Sequence, residues 1–131
     1  VATHMALAVC YPNAGNIAGG GFMVFRTASG TVGSLDFREK APMNASRDMY
    51  LDDNKKVLSG KSVLGGLAVG VPGAVAGMYS LHQKLGNLSW EQVIAPAVAL
   101  AKNGFVVTSK QAQVLSNKRF EIIFSCNTSS F

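Results

Sequence analysis

A glycine cluster followed by two apolar runs constrains the fold of this chain more than any other feature. The cluster is Gly19–Gly21, and the runs are Phe22–Thr27 and Thr31–Phe37. Both runs are rich in aromatic and β-branched residues, and the short loop between them, Ala28–Gly30, ends in glycine. This pattern predicts a β-hairpin. The preceding glycines allow unusual backbone angles or a close backbone approach just before the first strand.

The end of the second run carries the candidate binding residue, Arg38. Side chains alternate along a strand, so Leu35 and Phe37 share one face while Asp36 and Arg38 share the other. The apolar face is expected to pack on a core. A guanidinium is planar and permanently charged, and it can bind a carboxylate through two hydrogen bonds. The alternative is an ion pair with Asp36 or Glu39, or a solvated charge at the strand end.

Six motifs follow one another along the chain. They are Gly19–Val24 (GGGFMV), Leu35–Pro42 (LDFREKAP), Ala45–Tyr50, Ala68–Gly77, Trp90–Ala97 and Asn103–Thr108. Their content and order resemble the N-terminal part of the large subunit of γ-glutamyltranspeptidases, from Val1 to about Ser116. The resemblance implies that residues 1–117 are a large-subunit fragment and that residues 118–131 form a tail outside the family. A frameshift, a premature stop or a cloning boundary would each explain such a tail.

The resemblance also implies a fold and a reaction. The expected fold is α+β, a partial N-terminal-nucleophile hydrolase fold (αββα layers) made of the β-hairpin and several helices. Family members transfer the γ-glutamyl group of glutathione and related amides to water, amino acids or peptides. In that family the arginine of the Asp-Phe-Arg-Glu motif binds the α-carboxylate of the donor, and this role carries over to Arg38.

The family nucleophile is a threonine that becomes the N-terminus of the small subunit after self-cleavage. None of the threonines here lies in that processing context, so the resemblance implies no catalytic residue in this chain and an inactive fragment. The implied partners are a γ-glutamyl substrate such as glutathione and the missing small-subunit part, with self-association also expected. No cofactor is implied, and bacterial members are usually periplasmic or secreted.

The sequence also leaves two other functions open. One is a related N-terminal-nucleophile acylase, of the cephalosporin acylase or capsule depolymerase type, with a similar scaffold and a different donor. The other is a non-catalytic truncated module. A comparison of activity on γ-glutamyl donors with activity on other acyl donors separates the related acylase from a transpeptidase. A natural stop codon after Phe131 would favour the truncated module.

Composition excludes several further classes. A hydrophobic content of 48% and a mean hydropathy of +0.23 argue against a disordered chain. The formal net charge of +5 is scattered along the sequence, which argues against a nucleic-acid surface. No apolar run reaches the length of a transmembrane helix. Two cysteines and two histidines without ligand spacing predict no metal site.

Apolar periodicity and caps predict the remaining elements. Ser89 and Gln92 form a capping box before a helical apolar stripe, and Thr108 is suited to cap a further helix. The other expected elements are a buried helix over Val1–Tyr11, a short strand or extended entry over Leu67–Val71, a helix from Pro72 to about Leu85, and a β-prone run at Phe120–Phe124.

Overall fold

The structure is a computed structural model that describes residues 1–13 and 16–126, with the side chains of residues 123–126 left out. Within these ranges it contains five α-helices, one short 3₁₀ helix and one two-stranded antiparallel sheet. This content confirms the α+β class. The elements are α1 (Ala2–Cys10), β1 (Phe22–Arg26), β2 (Val32–Asp36), α2 (Ala74–Leu85), α3 (Trp90–Asn103), α4 (Ser109–Asn117) and α5 (Arg119–Cys126).

Strands β1 and β2 form the predicted hairpin, and each strand is slightly shorter than the apolar run that contains it. Phe22 lies opposite Asp36, and Arg26 lies opposite Val32. The two faces of the hairpin differ as the alternation predicts. On the inner face, residues such as Leu35 are half-buried, whereas the outer face is exposed. Three large apolar side chains point outward, and Phe22, Val24 and Val32 are exposed by 67%, 78% and 66%.

The core of the described residues is small and lies on helices α2 and α3. Ala74, Met78 and Ala97 are the buried apolar residues. Helix α1 packs on α3, and α2 packs on β2. The expectation of a fully buried first helix is wrong, because no residue of α1 is buried and Leu7 is 44% exposed. Among the described elements, α3 is the main neighbour of α1 and covers one side of it.

Around Val71 the chain forms an extended entry to α2 rather than a strand. A short 3₁₀ helix spans Gly66–Ala68, and Val71 makes only an isolated antiparallel bridge with Lys40. Helix α2 begins at Ala74 rather than at Pro72. The bridge holds the chain extended up to the proline, so the helix begins only after it.

The C-terminal run is helical. The β-prone run Phe120–Phe124 does not form a strand, since its backbone belongs to α5. Local hydrogen bonding continues the helix out of α4 through Lys118, whose carbonyl accepts from the N–H of Ile122. Phe120 remains 75% exposed. None of the described helices combines the length and apolar character needed to cross a membrane.

Candidate functional site

Backbone hydrogen bonds hold the segment that carries Arg38 on both sides. The N–H of Phe37 donates to the carbonyl of Gly21 at 2.9 Å. On the other side, the N–H of Lys40 donates to the carbonyl of Val71 at 3.1 Å, and the N–H of Val71 donates back at 2.8 Å. The Arg38 backbone therefore lies between the glycine cluster and the approach to α2.

These two flanking segments are also joined to each other. The carbonyl of Gly19 accepts hydrogen bonds from the N–H groups of Gly73 and Ala74, at 2.8 and 3.1 Å. Amide groups at the start of a helix have no partner within the helix, so this carbonyl satisfies two donors there. The glycine cluster, the end of β2 and the start of α2 form one hydrogen-bonded unit.

The guanidinium of Arg38 makes one ion pair. Its Nη2 donates to Oε1 of Glu39 at 3.3 Å, and its Cζ lies 5.6 Å from the centre of the Phe22 ring. Asp36 does not pair with the guanidinium; its Oδ1 accepts from the backbone N–H of Arg38 at 3.0 Å. The Arg38 side chain remains 55% exposed. A guanidinium has five N–H donors, so most of them are available to a ligand.

Glu39 is the negative charge nearest to this guanidinium. A hydrogen bond from its own backbone amide, followed by the hydrogen bond and charge of Arg38, holds the pKa of the Glu39 carboxyl below its ordinary value. The carboxylate is therefore ionised at neutral pH. Since the pair is exposed, it is weak enough for a ligand carboxylate to compete for the guanidinium.

Arg38 and Glu39 line an open cleft of about 490 Å³, together with the glycine cluster and Phe22. His4 of α1 lies at the same cleft, where its Nε2 is 3.0 Å from the carbonyl oxygen of Asn16. The sequence pattern singled out Arg38 but not His4, because the two residues lie 34 positions apart and share no motif. Within the described ranges, no group of three potential metal ligands is present.

The sequence matches a known family along nearly its whole length. The family model described as Gamma-glutamyltranspeptidase covers residues 1–129. The chain is 50% identical over 123 residues to a glutathione hydrolase proenzyme of Pseudomonas sp. (strain A14), covering 92% of this chain and 21% of that protein. It spans about a fifth of the length of the curated relatives it matches. The family match extends past Lys118, and the division at residue 117 stays a prediction.

Solved structures show the same relationship. The crystal structure of Helicobacter pylori gamma-glutamyltranspeptidase is 46% identical, with a TM-score of 0.87, over 94% of this chain and 35% of that one. The transpeptidase enzyme CapD of Bacillus anthracis is 25% identical, with a TM-score of 0.66, over 90% of this chain and 34% of that one. The chain belongs to the gamma-glutamyltranspeptidase family.

Proposed function

We propose that this chain forms the donor-binding part of a γ-glutamyltransferase (glutathione hydrolase), with Arg38 as the residue that binds the donor α-carboxylate. One observation carries the proposal: a half-exposed guanidinium lies at an open cleft, held by a backbone that is hydrogen-bonded on both sides. Family membership supports a γ-glutamyl donor as the ligand of this guanidinium. A donor carboxylate that binds Arg38 either displaces the Glu39 carboxylate or accepts hydrogen bonds from other N–H groups of the guanidinium.

The reaction is an acyl transfer. The γ-glutamyl carbonyl is attacked by a threonine hydroxyl of the small subunit, and the acyl-enzyme passes to water, an amino acid or a peptide. That nucleophile is not assigned to any residue of this chain, whose part is to bind and orient the donor. Orientation lowers the barrier because it converts a bimolecular encounter into a reaction within one complex.

The same proposal includes the fold layers, the partners and the location. The hairpin and helices belong to an αββα-layered N-terminal-nucleophile hydrolase, completed by the small-subunit part of the same precursor. The exposed outer face of β1 and β2 supports this, since Val24 and Val32 are apolar and lack cover among the described residues. Glutathione or a related γ-glutamyl amide is the substrate. The proposed location of the enzyme is the periplasm or the outside of the cell.

Greater similarity favours an activity like that of the Helicobacter pylori enzyme over that of the transpeptidase enzyme CapD. The TM-score and identity are 0.87 and 46% against the Helicobacter pylori enzyme, but 0.66 and 25% against CapD. A related acylase activity, of the cephalosporin acylase or capsule depolymerase type, is the second candidate. A non-catalytic truncated module is the third, and it predicts no activity in any full-length background.

The experiment uses a host chimera, in which this chain replaces the 123 matched residues of the Pseudomonas sp. (strain A14) relative. We expect the chimera to cleave itself and to turn over a γ-glutamyl anilide, and to leave untouched cephalosporin side-chain amides and other acyl donors that lack a γ-glutamyl group. The 131-residue chain by itself is expected to show no turnover, since it spans about a fifth of its relatives. A chimera that is inactive, or that prefers the other donors, would contradict the proposal.

A further inference from the structure

We propose that Gly73 and Gly77 are positioning residues for Arg38, a role that rests on the proposed function of that arginine. Both glycines are at positions where the start of α2 touches the end of β2 without any intervening side chain. The touching residue is Phe37, the immediate neighbour of Arg38.

Because Gly77 has no side chain, the side chain of Phe37 can pack directly on the backbone of α2. A Cβ built on Gly77 would overlap Cβ and Cγ of Phe37 and lie 2.8 Å from Cδ2. Gly77 is itself buried. Because side chains alternate along the strand, the depth to which Phe37 enters the α2 surface sets how far Arg38 projects on the opposite side.

Gly73 fixes the backbone rather than the ring. A Cβ on Gly73 would overlap the carbonyl oxygen of Phe37 and lie 2.9 Å from the carbonyl oxygen of Arg38. Backbone atoms cannot move aside as the end of a flexible side chain can. A methyl group at this position would therefore have to push the arginine backbone away from α2.

The opposite side of the segment is equally close. A Cβ on Gly20 would lie 2.6 Å from both Cα of Arg38 and the backbone N of Glu39. The Arg38 backbone is thus enclosed by Gly20 on one side and Gly73 on the other. With no room on either side, the Arg38 backbone is fixed at the cleft before a donor arrives, so the cost of ordering that backbone has already been met in folding.

The chain offers a graded set of glycine substitutions with a matched control. Gly66 has open space around its virtual Cβ and no left-handed φ, so Gly66→Ala is the control. A Cβ on Gly70 would lie 3.2 Å from Cβ and Cγ of Glu39 and 3.3 Å from the carbonyl oxygen of Lys40, which are milder contacts than those at Gly77. Gly77→Ala is the severe change. Alanine favours helix over glycine by about 1 kcal/mol, so a loss at position 77 cannot come from helix propensity.

The test measures kcat/KM in the host chimera with two donors, a γ-glutamyl anilide and the same anilide with its α-carboxylate replaced by a carboxamide. Only the first donor uses the charge on Arg38. We expect Gly77→Ala to lower kcat/KM for the carboxylate donor on the order of 10- to 100-fold, mainly through KM, with a change within about twofold for the carboxamide. Gly66→Ala should change neither, and Gly70→Ala should give a smaller loss of the same selectivity.

The double variant Arg38→Ala/Gly77→Ala completes the cycle. If Gly77 acts through Arg38, the glycine substitution adds little once the guanidinium is gone. Equal losses for both donors, or full additivity with Arg38→Ala, would overturn the positioning role. If the Gly77→Ala chimera fails to fold, the test uses Gly70→Ala instead and compares the same ratio of kcat/KM values for the carboxylate and carboxamide donors. An unchanged donor ratio in Arg38→Ala alone would instead contradict the proposed function, so the two failures are distinguishable.

Discussion

The side-chain amide of Gln111 donates a hydrogen bond of 2.8 Å to the backbone carbonyl of Cys10, and 101 positions separate the two residues in the chain. The same side chain also closes the capping box of α4, because its Oε1 accepts from the N–H of Thr108 at 3.1 Å. One residue therefore caps α4 and ties it to the end of α1. Apolar side chains including Phe105 and Leu115 border a small cavity of about 60 Å³ beside this contact.

Replacing Gln111 by alanine should lower the free energy of unfolding of the chain by about 1–3 kcal/mol. The substitution removes half of the capping box and leaves a partly buried carbonyl unpaired. Gln113→Ala is the control, since Gln113 is exposed on the same helix. Urea unfolding followed by the fluorescence of Trp90, the single tryptophan, gives both values. Equal midpoints for the two variants would show that the contact contributes nothing.

The Glu39 carboxyl should titrate below the ordinary range for glutamate. Its depressed pKa comes first from its own backbone amide and then from Arg38. The contribution to stability is therefore complete above the unfolded-state pKa and is lost as the pH falls through the lower folded-state pKa. In a ¹³C NMR titration, Arg38→Ala should raise the Glu39 pKa part of the way to the ordinary glutamate value. Arg47→Ala, which removes a pair with Asp48, is the control. An unchanged Glu39 pKa in the Arg38→Ala variant would refute the pairing.

Local signals in the sequence predict much of this fold. The hairpin follows from two β-prone runs around a glycine-ended loop, and α3 begins at Trp90 because Ser89 and Gln92 form the capping box. These features depend on residues within a few positions of one another.

Features that depend on distant residues could not be predicted. An apolar sequence predicts burial for α1, yet burial requires neighbours on every side, and α3 covers only part of that helix. The run at Phe120 has strand propensity, but continuation from α4 makes it helical. At the site, the motif marks Arg38, whereas its enclosure by Gly20 and Gly73 exists only in three dimensions.

The isolated chain should self-associate through the outer face of the hairpin. Val24 and Val32 lie exposed there on a sheet that has two strands among the described residues, and open edges beside apolar patches favour association. Val24→Lys should shift the chain towards monomer, whereas Val63→Lys, in a loop, should not. Sedimentation at micromolar concentration measures both. A monomer of 13.7 kDa in the unmodified chain would refute this prediction.

The most direct measurement is kcat/KM of the host chimera for a γ-glutamyl anilide, with and without Arg38→Ala. Loss of a charge-assisted pair with the donor carboxylate should cost about 2–5 kcal/mol, or about 30- to 4,000-fold. Arg38→Lys should restore only part, because an ammonium lacks the planar fork. Arg26→Ala, which removes a charge at the far end of the hairpin, should leave the value unchanged. A value for Arg38→Ala within about twofold of the parent chimera would contradict the central claim.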